Sequence, residues 1–143
     1  MSMDMKGGMF TSMSGEWATP KELFTLLDLE FHFDVDLCAT EDNALCDEFC
    51  TVECSLLGHI PHGQRAYMNP PYGRKIGSFI ERAVSLFDDN YLDVLVMLLP
   101  SRTDTKWWHE YCMRGETRFI KGRLKFGGSQ NSAPFPSAVV IYE

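Results

Sequence analysis

Residues 93–100, D-V-L-V-M-L-L-P, form a nearly continuous apolar run stopped by proline. A strand that is apolar at almost every position has no face to give to water. It belongs inside a sheet covered on both sides, the arrangement typical of parallel strands. The neighbouring segments supply the cover. Ile76, Phe79, Ile80, Ala83, Val84 and Phe87 recur at helical spacing and predict an amphipathic helix over 76–88. T-P-K-E at 19–22 has the form of a helix start, with Thr19 as cap, Pro20 in the first position and Glu22 completing a capping box, and the helix is expected to reach about residue 29.

F-H-F-D-V-D-L at 31–37 alternates apolar and polar residues, which predicts a strand ending near Asp36, and a short helix is expected over about 41–48. Another short strand is expected to begin near Arg65 and end at Tyr67–Met68. A helix over 103–111 and strands over 118–121 and 137–142 complete the series. Alternation of this kind points to an open α/β sheet with helices on both faces. Ligands of such sheets bind beyond the carboxyl ends of the strands, where Asp36, Asn69 and Pro100 are expected.

With 143 residues the chain has room for one core. Residues 1–15 are expected to be a flexible N-terminal arm and residues 16–143 a single domain. The composition, 45% hydrophobic and 23% charged, is that of a soluble globular protein. No apolar run approaches the roughly 20 residues that span a bilayer, and the first residues lack a signal-peptide core. A cytoplasmic location without membrane partners is expected.

Five cysteines, an odd number, argue against a disulfide framework. Cys46, Cys50 and Cys54 repeat every fourth residue, with His59 and His62 following. On a helix the three thiols would share one face without a clear fourth ligand, so inert thiols are expected and no metal site.

Net charge is −7, but it is unevenly divided. Residues 1–60 carry two Lys/Arg against twelve Asp/Glu, and residues 61–143 carry eleven against eight. A basic half can meet phosphates while an acidic half faces elsewhere; solvated charge without a partner gives the same asymmetry.

Between the strand at 65–68 and the helix at 76–88 lies N-P-P-Y-G, residues 69–73. Such a segment can serve an exocyclic amine on an aromatic ring, whose lone pair is delocalised into the ring. Acceptors aimed at both amine hydrogens favour the electron-rich geometry and the positive charge that develops during attack. The Asn69 side-chain oxygen and the Pro70 carbonyl are two such acceptors. Pro70 and Pro71 add no competing N–H and hold the backbone stiff. Tyr72 offers a flat face for a flipped-out base, and Gly73 lets the chain turn away. An ordinary strand-ending turn is the plainer alternative.

N-P-P-Y at a strand end resembles the catalytic motif of S-adenosylmethionine-dependent amino-methyltransferases. More of the chain resembles one branch, the phage-type (Dam-like) DNA N6-adenine methyltransferases: W-A-T-P at 17–20, F-D-V-D-L-C-A-T at 33–40, N-P-P-Y-G at 69–73, M-L-L-P-S-R-T-D-T-K-W-W-H at 97–109, R-F-I-K-G-R-L-K-F-G-G at 118–128 and A-P-F-P-S at 133–137. The resemblance implies a minimal Rossmann-like methyltransferase sheet with helices on both faces, S-adenosylmethionine as cofactor and DNA as substrate. It implies a target-amine site at Asn69, Pro70, Pro71 and Tyr72. It places Trp17, Thr19, Pro20, Asp36 and Cys38 near the cofactor, with Glu53 as a further ribose partner. D-L-C-A-T stands where most methyltransferases carry a glycine-rich loop.

Arg118, Lys121, Arg123 and Lys125, interleaved with Phe119 and Phe126, suit contacts to phosphates and bases, and Arg74, Arg102 and Lys106 would extend that surface. An edge strand guarded by cations has the same pattern. Trp107 and Trp108 are expected in the core. Two rivals remain open: an N-methyltransferase acting on protein glutamine or RNA, and a degenerate methyltransferase fold that binds without turnover.

Overall fold

The computed structural model describes residues 17–51, 58, 60–127 and 131–143. The arm at 1–15, Glu53, Cys54 and His59 lie outside the described residues. Along the chain the elements are helix α1 (Lys21–Phe31), strands β1 (Val35–Asp36), β2 (Glu48–Phe49) and β3 (Arg65–Met68), helix α2 (Ile76–Asp88), strand β4 (Val94–Pro100), helix α3 (Lys106–Glu110), a 3-10 turn (Cys112–Arg114), and strands β5 (Glu116–Phe119) and β6 (Ser137–Tyr142).

The apolar run becomes β4, buried at all seven positions. Six strands form one sheet in the order β2-β1-β3-β4-β6-β5. Pairing is parallel from β2 through β1 and β3 to β4. β6 then runs antiparallel to both β4 and β5. The run expected in a parallel sheet thus has one parallel and one antiparallel neighbour. β6 is buried at every position too, so these two strands form the centre of the core.

Register decides which helix covers which face. Tyr67 pairs with Val96, which pairs with Ile141, and these three side chains share a face. Tyr142 therefore points to the other. Phe24 of α1 packs edge-on against Tyr67 at 5.2 Å, and Phe87 of α2 packs edge-on against Tyr142 at 5.3 Å. Trp108 of α3 stacks on Phe119, which the register puts on the Tyr142 side. Helix α1 covers one face; α2 and α3 cover the other.

Three local expectations are corrected. The alternation over 31–37 yields only the two-residue β1, because Phe31 is the last residue of α1 and His32 caps it in the left-handed conformation (φ 55). Phe33 then turns onto Phe24 and Tyr67. No helix forms over 41–48: turns and bends lead into β2, so Cys46 and Cys50 do not share a helical face. Pro20, not Thr19, occupies the cap of α1, and its ring has no acceptor for a cap bond, while the Thr19 hydroxyl meets Tyr67. No helix among the described residues is long and apolar enough to cross a membrane.

Candidate active site

Strands β1, β3 and β4 run parallel, so their carboxyl ends lie along one edge of the sheet. A cavity of about 210 Å³ opens there, lined by Trp17, Thr19, Asp36, Cys38, Asn69, Pro70 and Pro71 among others. Seven residues singled out by sequence thus meet in one place, from three segments far apart in the chain. Pro20, Tyr72 and Pro100 do not line it.

Asn69 follows β3, two residues after Tyr67. Its Nδ2 donates to the backbone carbonyl of Trp17 and to Thr19 Oγ1 at 3.0 Å. The Thr19 hydroxyl in turn lies 2.7 Å from the Tyr67 hydroxyl. A backbone carbonyl only accepts, so the group facing Trp17 must be the amide nitrogen. The amide oxygen therefore faces away from it. Asn69 Oδ1 is buried and has no hydrogen-bond partner among the described residues. A buried acceptor left unpaired costs about 1–3 kcal/mol, which a ligand bearing an N–H would recover.

Asp36 ends β1 at 3% exposure. Its Oδ1 accepts from the Cys38 N–H at 3.2 Å and its Oδ2 from the Leu45 N–H at 3.1 Å. The carboxylate thus ties both ends of the loop that stands in place of a glycine-rich one. Burial pushes its pKa up to about 6, against the lowering effect of those two bonds. Each oxygen keeps a lone pair for a donor or cation in the cavity. Burial and the Asp36 charge raise the Cys38 thiol well above its usual pKa, so it sits at the wall as a neutral group.

Tyr72 is 5% exposed. Its hydroxyl donates to the Leu98 carbonyl at 3.2 Å, and its ring meets Phe126 and Phe135 edge-on at 6.3 and 5.5 Å. The open stacking face expected of it is covered in this arrangement.

Residues 9–139 match the family described as DNA N-6-adenine-methyltransferase (Dam). The chain belongs to that family. Over 96 residues it is 30% identical to the DNA N-6-adenine-methyltransferase of Escherichia phage T1, an alignment covering 66% of this chain and 39% of the phage protein. The match spans well under half of that relative's length.

Within this Dam-family chain the basic positions separate. Lys121, Arg123 and Lys125 are exposed on the segment after β5, which returns to the cavity rim where the Gly127 N–H donates to the Ala18 carbonyl at 2.8 Å. Phe126 packs against Trp17 at 5.5 Å. Arg74 and Arg102 are exposed beside the N-P-P-Y-G segment and after β4. Lys106 is exposed and 3.7 Å from Glu110. Arg118 departs from expectation: its guanidinium holds both Glu30 oxygens at 2.8 Å and Glu116 at 2.7 Å, with its carbon 5.6 Å from the centre of the Phe31 ring. It joins α1 to β5.

Sequence reasoning missed Tyr67, Thr40, Asn43 and Leu45 in the cavity wall. Tyr67 carried a usable signal, since residues two apart on a strand share a face and Tyr67 precedes Asn69 by two. The others come from an irregular turn in which the Thr40 N–H donates to Asn43 Oδ1 at 2.7 Å, and no periodicity marks it.

Proposed function

We propose that this chain is an S-adenosylmethionine-dependent DNA methyltransferase acting on adenine N6. One observation carries the reading: the unpaired, buried Asn69 Oδ1 beside Pro70 at the cavity wall. An exocyclic amine has two hydrogens to give, and in this reading Asn69 Oδ1 takes one and the Pro70 carbonyl the other.

The residues fit the cofactor. The Asp36 carboxylate suits its cationic centres, and Trp17 and Thr19 add an aromatic wall and a hydroxyl. When bound, S-adenosylmethionine supplies an electrophilic methyl group on a sulfonium. The chain's own part is positioning and electrostatics. Asn69 and Pro70 draw the amine hydrogens toward fixed acceptors, which concentrates the lone pair on nitrogen and stabilises the charge that grows there. The proton leaves to water after transfer, and no covalent enzyme intermediate is needed. Lys121, Arg123, Lys125, Arg74, Arg102 and Lys106 would meet DNA phosphates.

The strand order, with parallel β1 to β4 and antiparallel β6 inserted beside β5, supports a minimal Rossmann-like methyltransferase sheet. A DNA substrate of phage type would place the work in the bacterial cytoplasm.

The test is transfer of label from S-adenosylmethionine to unmethylated DNA, digested to nucleosides, beside Asn69→Ala. Label in N6-methyl-2′-deoxyadenosine, reduced about 100-fold or more in the variant, supports the reading. Absence of label with cofactor bound moves the substrate to protein or RNA. DNA binding without cofactor binding leaves a non-catalytic module.

A further inference from the structure

The Asn69 amide has two faces that differ only in which end is oxygen. Rotation by half a turn would bring Oδ1 against the Trp17 carbonyl and the NH2 group into the acceptor position. An amine offered to that inverted amide would meet a donor. The orientation of one planar group therefore separates a working site from an inert one. Asparagine does not set it unaided, because its terminal torsion is broad and roughly two-fold.

We infer that Thr19 and Tyr67 are positioning residues that fix this orientation. The inference rests on the methyl-transfer reading for its catalytic consequence. Trp17 contributes a backbone carbonyl, which takes one Nδ2 hydrogen. Thr19 Oγ1 takes the other at 3.0 Å and is itself held 2.7 Å from the Tyr67 hydroxyl. Whichever of the two hydroxyls donates to the other, Thr19 keeps a lone pair for Asn69, so the chain of bonds reads the same way at the amide. Tyr67 is fully buried, wedged between Phe24 and Phe33, and its backbone carbonyl accepts from the Leu37 N–H at 2.9 Å. Its hydroxyl thus stands on the sheet itself, and Thr19 carries that fixed point across to Asn69. Helix α1 is capped one residue later, by Pro20, so the Thr19 hydroxyl has no capping role and serves Asn69 and Tyr67 instead.

The test uses the full chain, labelled with nitrogen-15, and the variants Thr19→Val, Thr19→Ser and Tyr67→Phe. The side-chain amide pair of Asn69 is assigned by its loss in Asn69→Ala. In the unaltered protein both amide protons are expected to be well separated and slow to exchange. Thr19→Val and Tyr67→Phe should shift them and speed exchange, while Thr19→Ser, which keeps the hydroxyl, should restore the original pair. Single-turnover methyl transfer should fall about 10- to 100-fold in Thr19→Val and Tyr67→Phe, the scale of loss that follows slight misplacement of a reacting group. Tyr67 also lines the cavity, so the dissociation constant for S-adenosylhomocysteine is measured beside the rate, and the positioning role requires the single-turnover rate to fall by more than that affinity does.

Unchanged amide signals in both folded variants would overturn the inference. So would a rate that falls only in step with cofactor affinity. If Thr19→Val fails to fold by circular dichroism, Tyr67→Phe decides alone. If the unaltered protein labels no DNA, the methyl-transfer reading falls, and the amide signals still decide the positioning role.

Discussion

Arg118 grips both carboxylate oxygens of Glu30, 88 residues away in sequence, with contacts of 2.8 Å. The pair bridges β5 to the C-terminal turn of α1 and spends the cation on the protein's own scaffold. Arg118→Ala should lower the thermal midpoint slightly and leave DNA affinity unchanged. Lys121→Ala, Arg123→Ala and Lys125→Ala should each weaken DNA binding and reduce the log–log salt slope by about 0.9 on duplex DNA. Fluorescence anisotropy over a salt series checks both halves.

Asp36 gives a pH dependence with a definite sign. Its folded-state pKa, about 6, lies above the ordinary 3.8. Between those values the folded protein holds a proton that the unfolded chain has released. Stability therefore falls as pH rises from about 4 to about 6, by on the order of 3 kcal/mol if this group acted alone. Asp36→Asn should lack that fall, although its amide places a donor against a backbone N–H and displaces the whole curve. Urea midpoints of the two proteins, subtracted at each pH, isolate the effect from other carboxylates. Cofactor affinity should rise through the same window as the carboxylate ionises.

Gly63 sits at φ +121, where an added Cβ would lie 2.9 Å from Asp34 Oδ1 and 3.0 Å from Val35 Cβ. Asp34 Oδ1 already accepts from the N–H groups of Gln64 and Arg65, at 3.0 and 2.8 Å, and sets the entry to β3. Gly63→Ala should cost about 1–3 kcal/mol through strain and displacement of that carboxylate. Chemical denaturation measures it directly.

Tyr72→Phe removes the hydroxyl that meets the Leu98 carbonyl and keeps the ring. A loss of about 0.5–1.5 kcal/mol is expected. Tyr72→Ala should cost about 3–5 kcal/mol, because it empties the space between Phe126 and Phe135. If the two variants lose equal stability, the ring packing contributes nothing.

Local periodicity carried the long elements. The helix expected over 76–88 is Ile76–Asp88, and the strand expected over 137–142 is Ser137–Tyr142. Both have a face, or both faces, dictated by burial, so the pattern has only one reading. Residues 31–37 failed because two periods overlap: Phe31 completes the helical stripe of α1 and also begins an alternating series. Thr19 was expected at the helix cap, but α1 is capped one residue later by Pro20, and only the fold brings the Thr19 hydroxyl to Tyr67 and Asn69 in the cavity wall. The Glu30 partner of Arg118 was not foreseen, because a partner 88 residues away leaves no mark in the neighbouring sequence. The cavity was legible in its Trp17, Asp36 and Asn69 corners, and its irregular 39–45 wall was not.

Trp17 holds one further consequence. Its carbonyl receives the Asn69 amide, its ring lies against Phe126 and Phe135, and its neighbour Ala18 receives the Gly127 N–H. The basic segment at 121–127 and the anchor of the Asn69 amide therefore bear on the same two residues. A pull on that segment, such as a phosphate backbone would exert on Lys125, is delivered to the hinge-pin on which Asn69 is seated. Grip on the outside and aim on the inside share a single fulcrum.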